Sequence, residues 1–160
     1  MIKGNKGEWS ELYVLLRLLA YGKIYAADDQ VKKIKNVYFP ILKIIREEVK
    51  GKRLEYRIGK NEDVEIYSND IKIKSISKER LKKEADYLYN EIVNMKSRSF
   101  EIEQTEKFAN EIECYRLSAP STDKTDIKIQ IHDIHTGFEP VCGFSIKSEL
   151  GSAPTLLNAS

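Results

Sequence analysis

Leucines at helical spacing predict a helix near the start of the chain. Within 7–21, four of them recur at intervals of three and four residues: Leu12, Leu15, Leu16 and Leu19. Gly22 follows them as a typical helix stop signal. A similar pattern behind the capping residue Ser77 predicts a helix of about twenty residues. A shorter amphipathic run predicts a third helix over 102–115.

Between the first two helices the apolar residues alternate with period two. The clearest alternating positions are Leu54, Tyr56, Ile58, Val64 and Ile66. Alternation of this kind is typical of half-buried antiparallel strands, and Gly51 and Gly59 supply turn signals between them. We therefore predict a β-rich subdomain over 24–75. Together with the helices it predicts an α/β fold, in which a mixed sheet is flanked by helices.

A second alternating region, 126–147, predicts a β-hairpin that turns at 136–137. Three isoleucines point to one side of its first strand: Ile127, Ile129 and Ile131. Asp126 points to the other side, because successive side chains of a strand alternate between faces. A turn centred at 136–137 places Asp126 directly opposite Lys147 on the second strand. We therefore expect an acid and a lysine at one end of a polar groove.

This predicted pair has an ordinary and a chemical interpretation. Exposed cross-strand ion pairs are common and contribute little to stability. In the chemical interpretation, Asp126 binds a hard divalent cation and the carbonyl oxygen of Ile146 supplies a second ligand. Lys147 then positions a water molecule and offsets charge that develops on a phosphate. Such a site would cleave phosphodiesters, and geometry alone does not decide between the two interpretations.

Composition narrows the class of protein without naming a function. At 160 residues the chain fits one domain, and 41% hydrophobic and 32% charged residues place it among globular proteins. No apolar stretch approaches the roughly 20 residues of a membrane-spanning helix. The first residues lack a secretory signal, and two cysteines are too few for a disulfide framework. We therefore expect a cytoplasmic protein without membrane contact.

Three stretches of sequence carry a resemblance to a known family. Asp126, followed after eighteen residues by Ser145-Ile146-Lys147, is similar to the catalytic core of the PD-(D/E)XK nucleases. Two further stretches are GNKGEWSE at 4–11 and CGFSIKSELG at 142–151, which continues to TLLNAS at 155–160. With these, the chain resembles the HpaII-like type II restriction endonucleases from end to end. Its abrupt, uncharged ending leads us to expect an N-terminal part of a longer protein.

The resemblance implies a restriction-endonuclease-like fold and a type II restriction endonuclease. Such an enzyme requires Mg²⁺ and hydrolyses both strands of double-stranded DNA at the palindrome CCGG. The reaction is an in-line attack of water on phosphorus that leaves a 5′-phosphate. The resemblance further implies a companion methyltransferase that acts on the same site, and we expect that a homodimer could form.

One position departs from the superfamily pattern, because Ser145 stands where a second acid is usual. The spacing from Gly7 to Glu11 resembles the opening helix of many such nucleases, in which an acid can point into the site. Glu11 is therefore our first candidate and Glu8 the second, although both would also favour a helix N-terminus. The predicted catalytic residues are Asp126, Lys147, Ser145 and Glu11. The predicted metal ligands are Asp126 and Ile146.

Two rival functions belong to other classes. In a non-catalytic DNA-binding or assembly module, Asp126 and Lys147 would pair only with each other. A metal-dependent phosphatase would show a closed pocket in place of an open basic groove. Seven basic residues against three acidic ones over 43–60 suit contact with phosphates. They suit equally well a sheet edge that lysines protect from aggregation.

Overall fold

Three helices and seven strands form the part of the chain that the computed structural model describes, residues 1–49, 51–120 and 124–150. The helices are α1 (Lys6–Tyr21), α2 (Lys78–Asn94) and α3 (Glu103–Glu111). The strands are β1 (Lys23–Ala27), β2 (Lys33–Val49), β3 (Lys52–Ile58), β4 (Asp63–Ser68), β5 (Ile71–Ser77), β6 (Ile127–Ile131) and β7 (Val141–Phe144).

Local capping residues fix the ends of the two long helices. The side chain of Asn5 accepts a hydrogen bond from the Glu8 amide at 3.0 Å, and the Glu8 carboxylate accepts one from the Asn5 amide at 2.8 Å. This capping box starts α1, and Gly22, with a φ of 66°, ends it in the left-handed region. Ser77 caps α2 through its side chain. The two predictions of long helices are therefore confirmed.

The third helix is shorter than the predicted 102–115, because the chain turns away after α3. Glu113 adopts a φ of 64°, which an α-helix cannot accommodate. The amide of Tyr115 then donates to the carboxylate of Glu48 in β2 at 2.9 Å, instead of to a carbonyl of its own helix. The periodic pattern predicted more helix here, but the Tyr115 amide bonds to a residue that lies 67 positions away in the sequence.

The strands form one sheet in the order β5-β4-β3-β2-β6-β7, with β1 paired to β2 beside this path. Strand β2 is 17 residues long, so β1 pairs with its first part, and β3 and β6 pair with its second part from either side. The predicted α/β fold is confirmed, although the predicted mixed sheet is antiparallel at every pairing within the described ranges. The strands of 24–75 share this sheet with β6 and β7. The division of 1–160 into a nuclease-like domain with a β-rich subdomain stays a prediction.

The two faces of the sheet differ in polarity. One cluster of buried apolar side chains joins the three helices to the inner face, and it includes Ile127, Ile129 and Ile131 of β6. The opposite face, here called the outer face, carries Lys43, Glu55, Arg57 and Lys128. No helix in the described ranges is long and apolar enough to cross a bilayer.

Candidate functional site

The hairpin of β6 and β7 forms as predicted, but its register differs by two residues. Ile127 lies opposite Phe144 and Lys128 opposite Gly143. The predicted pairing of Asp126 with Lys147 is therefore wrong. The cause lies in the connection 132–140, which folds into a turn of its own.

Asp133 organises this turn. The amide of Gly137 donates to the Asp133 carbonyl at 2.7 Å, and the Asp133 amide donates to the Phe138 carbonyl at 2.8 Å. The Asp133 carboxylate accepts a hydrogen bond from the His135 amide at 2.9 Å. These contacts close the chain earlier than a turn centred at 136–137, which moves the second strand by two positions relative to the first.

Asp126 is held by the main chain of the neighbouring segment. Its amide donates to the Phe144 carbonyl at 2.9 Å, and its Oδ2 accepts a hydrogen bond from the Ile146 amide at 2.6 Å. Continuing the register by one position places Ser145 opposite Asp126. Backbone contacts on both sides therefore fix the direction of this carboxylate, and they leave its other oxygen, Oδ1, for another partner.

Lys147 lies three residues beyond the end of β7 at Phe144, so the predicted second strand stops short of it. Exposure alternates strictly over 141–150, with Ser145 and Lys147 exposed and Ile146 half-buried. No ion pair joins Lys147 to Asp126 in the described ranges. The ordinary interpretation of this pair as a cross-strand salt bridge thus has no support in the structure.

Glu11 approaches Asp126 from helix α1. The pKa of the Glu11 carboxyl is raised to about 7, chiefly by burial and also by the negative charge of Asp126. Two contacts act in the opposite direction, namely the Ala119 amide, which donates to Glu11 at 3.3 Å, and the positive charge of Arg46. Glu8, by contrast, is engaged in the capping box of α1. Of the two acids that the sequence nominated, Glu11 is the one that interacts with the charge of Asp126.

A contact between two serines holds helix α1 against the segment that follows β7. The hydroxyl oxygens of Ser10 and Ser148 lie 2.9 Å apart, and only 4% of Ser10 is exposed. Ser10 precedes Glu11, and Ser148 follows Lys147. This hydrogen bond therefore brings together the helix and the hairpin segment that carry two of the candidate catalytic residues.

The carboxylates of Glu11 and Asp126 form a donor set that fits Mg²⁺. The charge of Asp126 contributes, after burial, to the raised pKa of Glu11, and a divalent cation relieves such repulsion between acids. Mg²⁺ is commonly held by one or two protein carboxylates, with water and phosphate oxygens completing the shell. No cluster of three or more His, Cys, Asp or Glu side chains occurs in the described parts of the chain. The Ile146 amide is the group that contacts Asp126, so the Ile146 carbonyl as a ligand stays a prediction.

A cavity of about 370 Å³ adjoins Asp126. Its polar lining includes Arg46, Arg53, Arg116, Thr125, Asp126 and Lys128. The basic run at 43–60 contains the first two arginines and was a usable sequence signal for them. Arg116 stands in no basic run, so the sequence gave no reason to single it out.

An antiparallel sheet with helices against its inner face, and an acid from the first helix beside an aspartate at a hairpin, is consistent with a restriction-endonuclease-like fold. The family model for the HpaII restriction endonuclease matches residues 5–160, and the chain belongs to this family. It is 42% identical, over 160 residues, to the type II restriction enzyme HpaII of Haemophilus parainfluenzae. That alignment covers 98% of this chain and 44% of the relative, so the chain spans less than half of the relative's length.

No solved structure was found to match the chain. Of the stretches that carried the resemblance, 5–11 lies in α1 and its cap, Gly4 forms a β-bridge with Phe100, and 142–150 lies in β7 and the segment behind it. Residue 151 and the stretch 155–160 lie outside the described residues.

Proposed function

We propose that the protein to which this chain belongs is a type II restriction endonuclease that hydrolyses DNA at CCGG with Mg²⁺. The observation that carries the proposal is the electrostatic interaction between Glu11 in α1 and Asp126, which directly precedes β6. Helix α1 has no structural need for a half-buried acid beside a second acid, because its cap already uses Glu8. Membership in the HpaII family supports the same function.

Glu11 and Asp126 would hold the Mg²⁺ ion. When bound, the ion supplies positive charge to a phosphate oxygen and makes a neighbouring water more acidic. The hydrogen bond from the Ile146 amide keeps Asp126 oriented before any ligand arrives. The Asp126 carboxylate would then bind the cation without rearranging, which lowers the free-energy cost of binding.

Lys147 and Ser145 would act on the phosphate side of the site. The exposed ammonium group of Lys147 can orient the attacking water and stabilise negative charge on the phosphate as the sugar 3′-oxygen leaves. Ser145, opposite Asp126, offers a hydroxyl that hydrogen-bonds without adding charge. The negative charge that binds the cation would then come from Glu11 and Asp126. Glu11 would thus replace the acid that is usual at the position of Ser145.

The proposed partners follow from this reaction. The substrate is double-stranded DNA, and cutting both strands of a palindrome suits a homodimer with two-fold symmetry. A companion methyltransferase would protect the same sequence in the host. Both enzymes would then work on DNA in the cytoplasm.

The test is digestion of plasmid DNA by the full-length protein. With Mg²⁺ we expect fragments cut at unmethylated CCGG, no cutting at methylated CCGG, and no cutting when EDTA removes the metal. Binding that weakens with salt, without cutting under any condition, would instead establish the non-catalytic module.

The site residues are tested by charge-removing variants in the same assay. Asp126→Asn keeps an acceptor for the Ile146 amide but loses the charge, and Lys147→Ala loses the ammonium group. We expect each to slow cleavage by roughly 10²-fold or more, the usual effect of losing a preorganised charge. Asp29→Asn and Lys82→Ala, both exposed and outside the site, are matched controls and should cut normally. Normal cutting by either site variant would remove that residue from the mechanism.

A further inference from the structure

The lining of the cavity beside Asp126 holds four cations against the two acids Glu47 and Asp126, and the proposed chemistry does not use these cations. Arg53, Arg116 and Lys128 contribute to its lining, together with apolar side chains such as Ile45 and Val141. The cavity adjoins the proposed metal site, because Asp126 belongs to both. Any group bound there would lie next to the reacting phosphate.

Arg116 is held through its main chain, and its side chain is exposed. Its carbonyl accepts a hydrogen bond from Nη2 of Arg46 at 3.0 Å and a weaker one from Sγ of Cys114 at 3.4 Å. Its guanidinium is exposed and has no acidic partner within the described ranges. A cation that is anchored by its backbone and left without an anion is well suited to bind an anionic ligand.

A buried ion pair provides that anchor. Arg46 Nε lies 2.6 Å from Oε1 of Glu48, and their side chains are only 10% and 1% exposed. The other oxygen of Glu48 accepts the Tyr115 amide at 2.9 Å. A buried ion pair is costly to desolvate unless additional hydrogen bonds compensate, and here those bonds go to the backbone that precedes and includes Arg116. The same segment continues to Ala119, whose amide contacts Glu11.

Arg53 adds a second cation at the cavity. It pairs with Glu55 at 2.7 Å, but Lys43 and Arg57 share the same carboxylate at 2.8 Å each. Because Arg57 also pairs with Asp70 at 2.8 Å, three cations share two acids and one positive charge is in excess. The side chain of Arg53 is 57% exposed, so this excess is accessible from the cavity and from the outer face.

Resting on the proposed endonuclease function, we propose that this cavity binds one backbone phosphate of the cut DNA strand, adjacent to the scissile phosphate, through Arg116 and Arg53. Guanidinium groups bind phosphate oxygens through two parallel hydrogen bonds, which fixes direction as well as distance. Holding the neighbouring phosphate would set the register of the strand over Asp126 and Lys147. The apolar part of the cavity then faces the sugar between the two phosphates.

The proposal is tested with the full-length protein, by measuring its affinity for a CCGG duplex over a range of salt concentrations in EDTA. Each phosphate contact that is lost lowers the slope of log affinity against log salt by about one. We expect this decrease for Arg116→Ala and for Arg53→Ala. Lys82→Ala, which removes an exposed cation from α2, should leave the slope unchanged.

A duplex with one neutral methylphosphonate, placed in turn on either side of the scissile phosphate, identifies the contact. At one of these positions we expect the methylphosphonate to weaken binding by the unsubstituted protein. Arg116→Ala, which already lacks the phosphate contact, should bind this duplex as tightly as it binds the unmodified one. Equal losses for both proteins at both positions, with an unchanged salt slope for Arg116→Ala, would overturn the proposal. Cutting of normal DNA by the unsubstituted protein in Mg²⁺ is scored separately. Its absence refutes the endonuclease itself, whereas normal cutting with an unaffected Arg116→Ala refutes only the phosphate contact.

Discussion

The raised pKa of Glu11 follows from its position in the fold. The side chain is half-buried between the Ala119 amide and the charge of Asp126, and its pKa of about 7 reflects burial first and the second acid after it. An exposed acid in the first turns of a helix would instead keep an ordinary pKa and gain only from the helix dipole. The position of Glu11 is therefore unfavourable for its ionised carboxylate, and a bound cation would relieve this.

Stability of the metal-free protein should consequently fall as pH rises. The folded protein holds the Glu11 proton more tightly than the unfolded chain, whose carboxyl has a pKa of 4.5. The contribution of this group to the free energy of unfolding is complete below pH 4.5 and is lost as pH rises through 7. Urea unfolding in EDTA should show Glu11→Gln gaining stability relative to the unsubstituted protein between these pH values. A constant difference between the two proteins would contradict the assigned pKa.

Gly143 allows Thr125 to lie close to β7. A Cβ at this position would stand 2.5 Å from the Thr125 methyl carbon and 2.9 Å from its hydroxyl oxygen. Such contacts force the threonine, and Asp126 next to it, to move.

We therefore expect Gly143→Ala to cost about 1 kcal/mol of stability, as mild overpacking does, and to slow cleavage as well. Ser145→Ala removes atoms without crowding, so its stability should stay within about 0.5 kcal/mol of the unsubstituted protein. Thermal unfolding measures both changes. An unaltered melting temperature and cleavage rate for Gly143→Ala would show that Thr125 moves aside freely.

Among the secondary-structure elements, those with local signals were predictable and those set by distant contacts were not. Asn5, Glu8 and Gly22 mark the ends of α1 within a few residues of sequence, so the pattern was sufficient there. The end of α3 depends on Glu48 in β2, and the hairpin register depends on hydrogen bonds within 133–138. The periodicity of the sequence predicts which face of a helix or strand is buried and how long the element is. It carries no information about contacts between distant residues.

The contact between Ser10 and Ser148 should couple helix α1 to the hairpin segment. Each of Ser10→Ala and Ser148→Ala removes the same hydrogen bond, whose net value is about 1 kcal/mol. A double-mutant cycle on the free energy of unfolding should therefore show less than additive losses. Strict additivity would mean that the two hydroxyls act independently, and that another contact holds the segment near Glu11.

Across the whole molecule, the two faces of the sheet differ in composition. The inner face buries the apolar residues that the alternation predicted, and the outer face carries Lys43, Glu55, Arg57 and Lys128. Asp126 and Lys147 came from the hairpin pattern and the resemblance, Glu11 came from the resemblance, and in the structure the charge of Asp126 acts on Glu11. Arg116 was beyond reach of the sequence, because only folding places it beside residues of β2 and β6.

We propose that Glu11 and Asp126 together bind one divalent cation. Calorimetric titration of the full-length protein with Mg²⁺, without DNA, tests it most directly. We expect binding that Glu11→Gln and Asp126→Asn each weaken at least tenfold, while Glu8→Gln, which preserves the capping box, binds as the unsubstituted protein does. Equal Mg²⁺ affinity in all four proteins, or a loss only in Glu8→Gln, would contradict the claim.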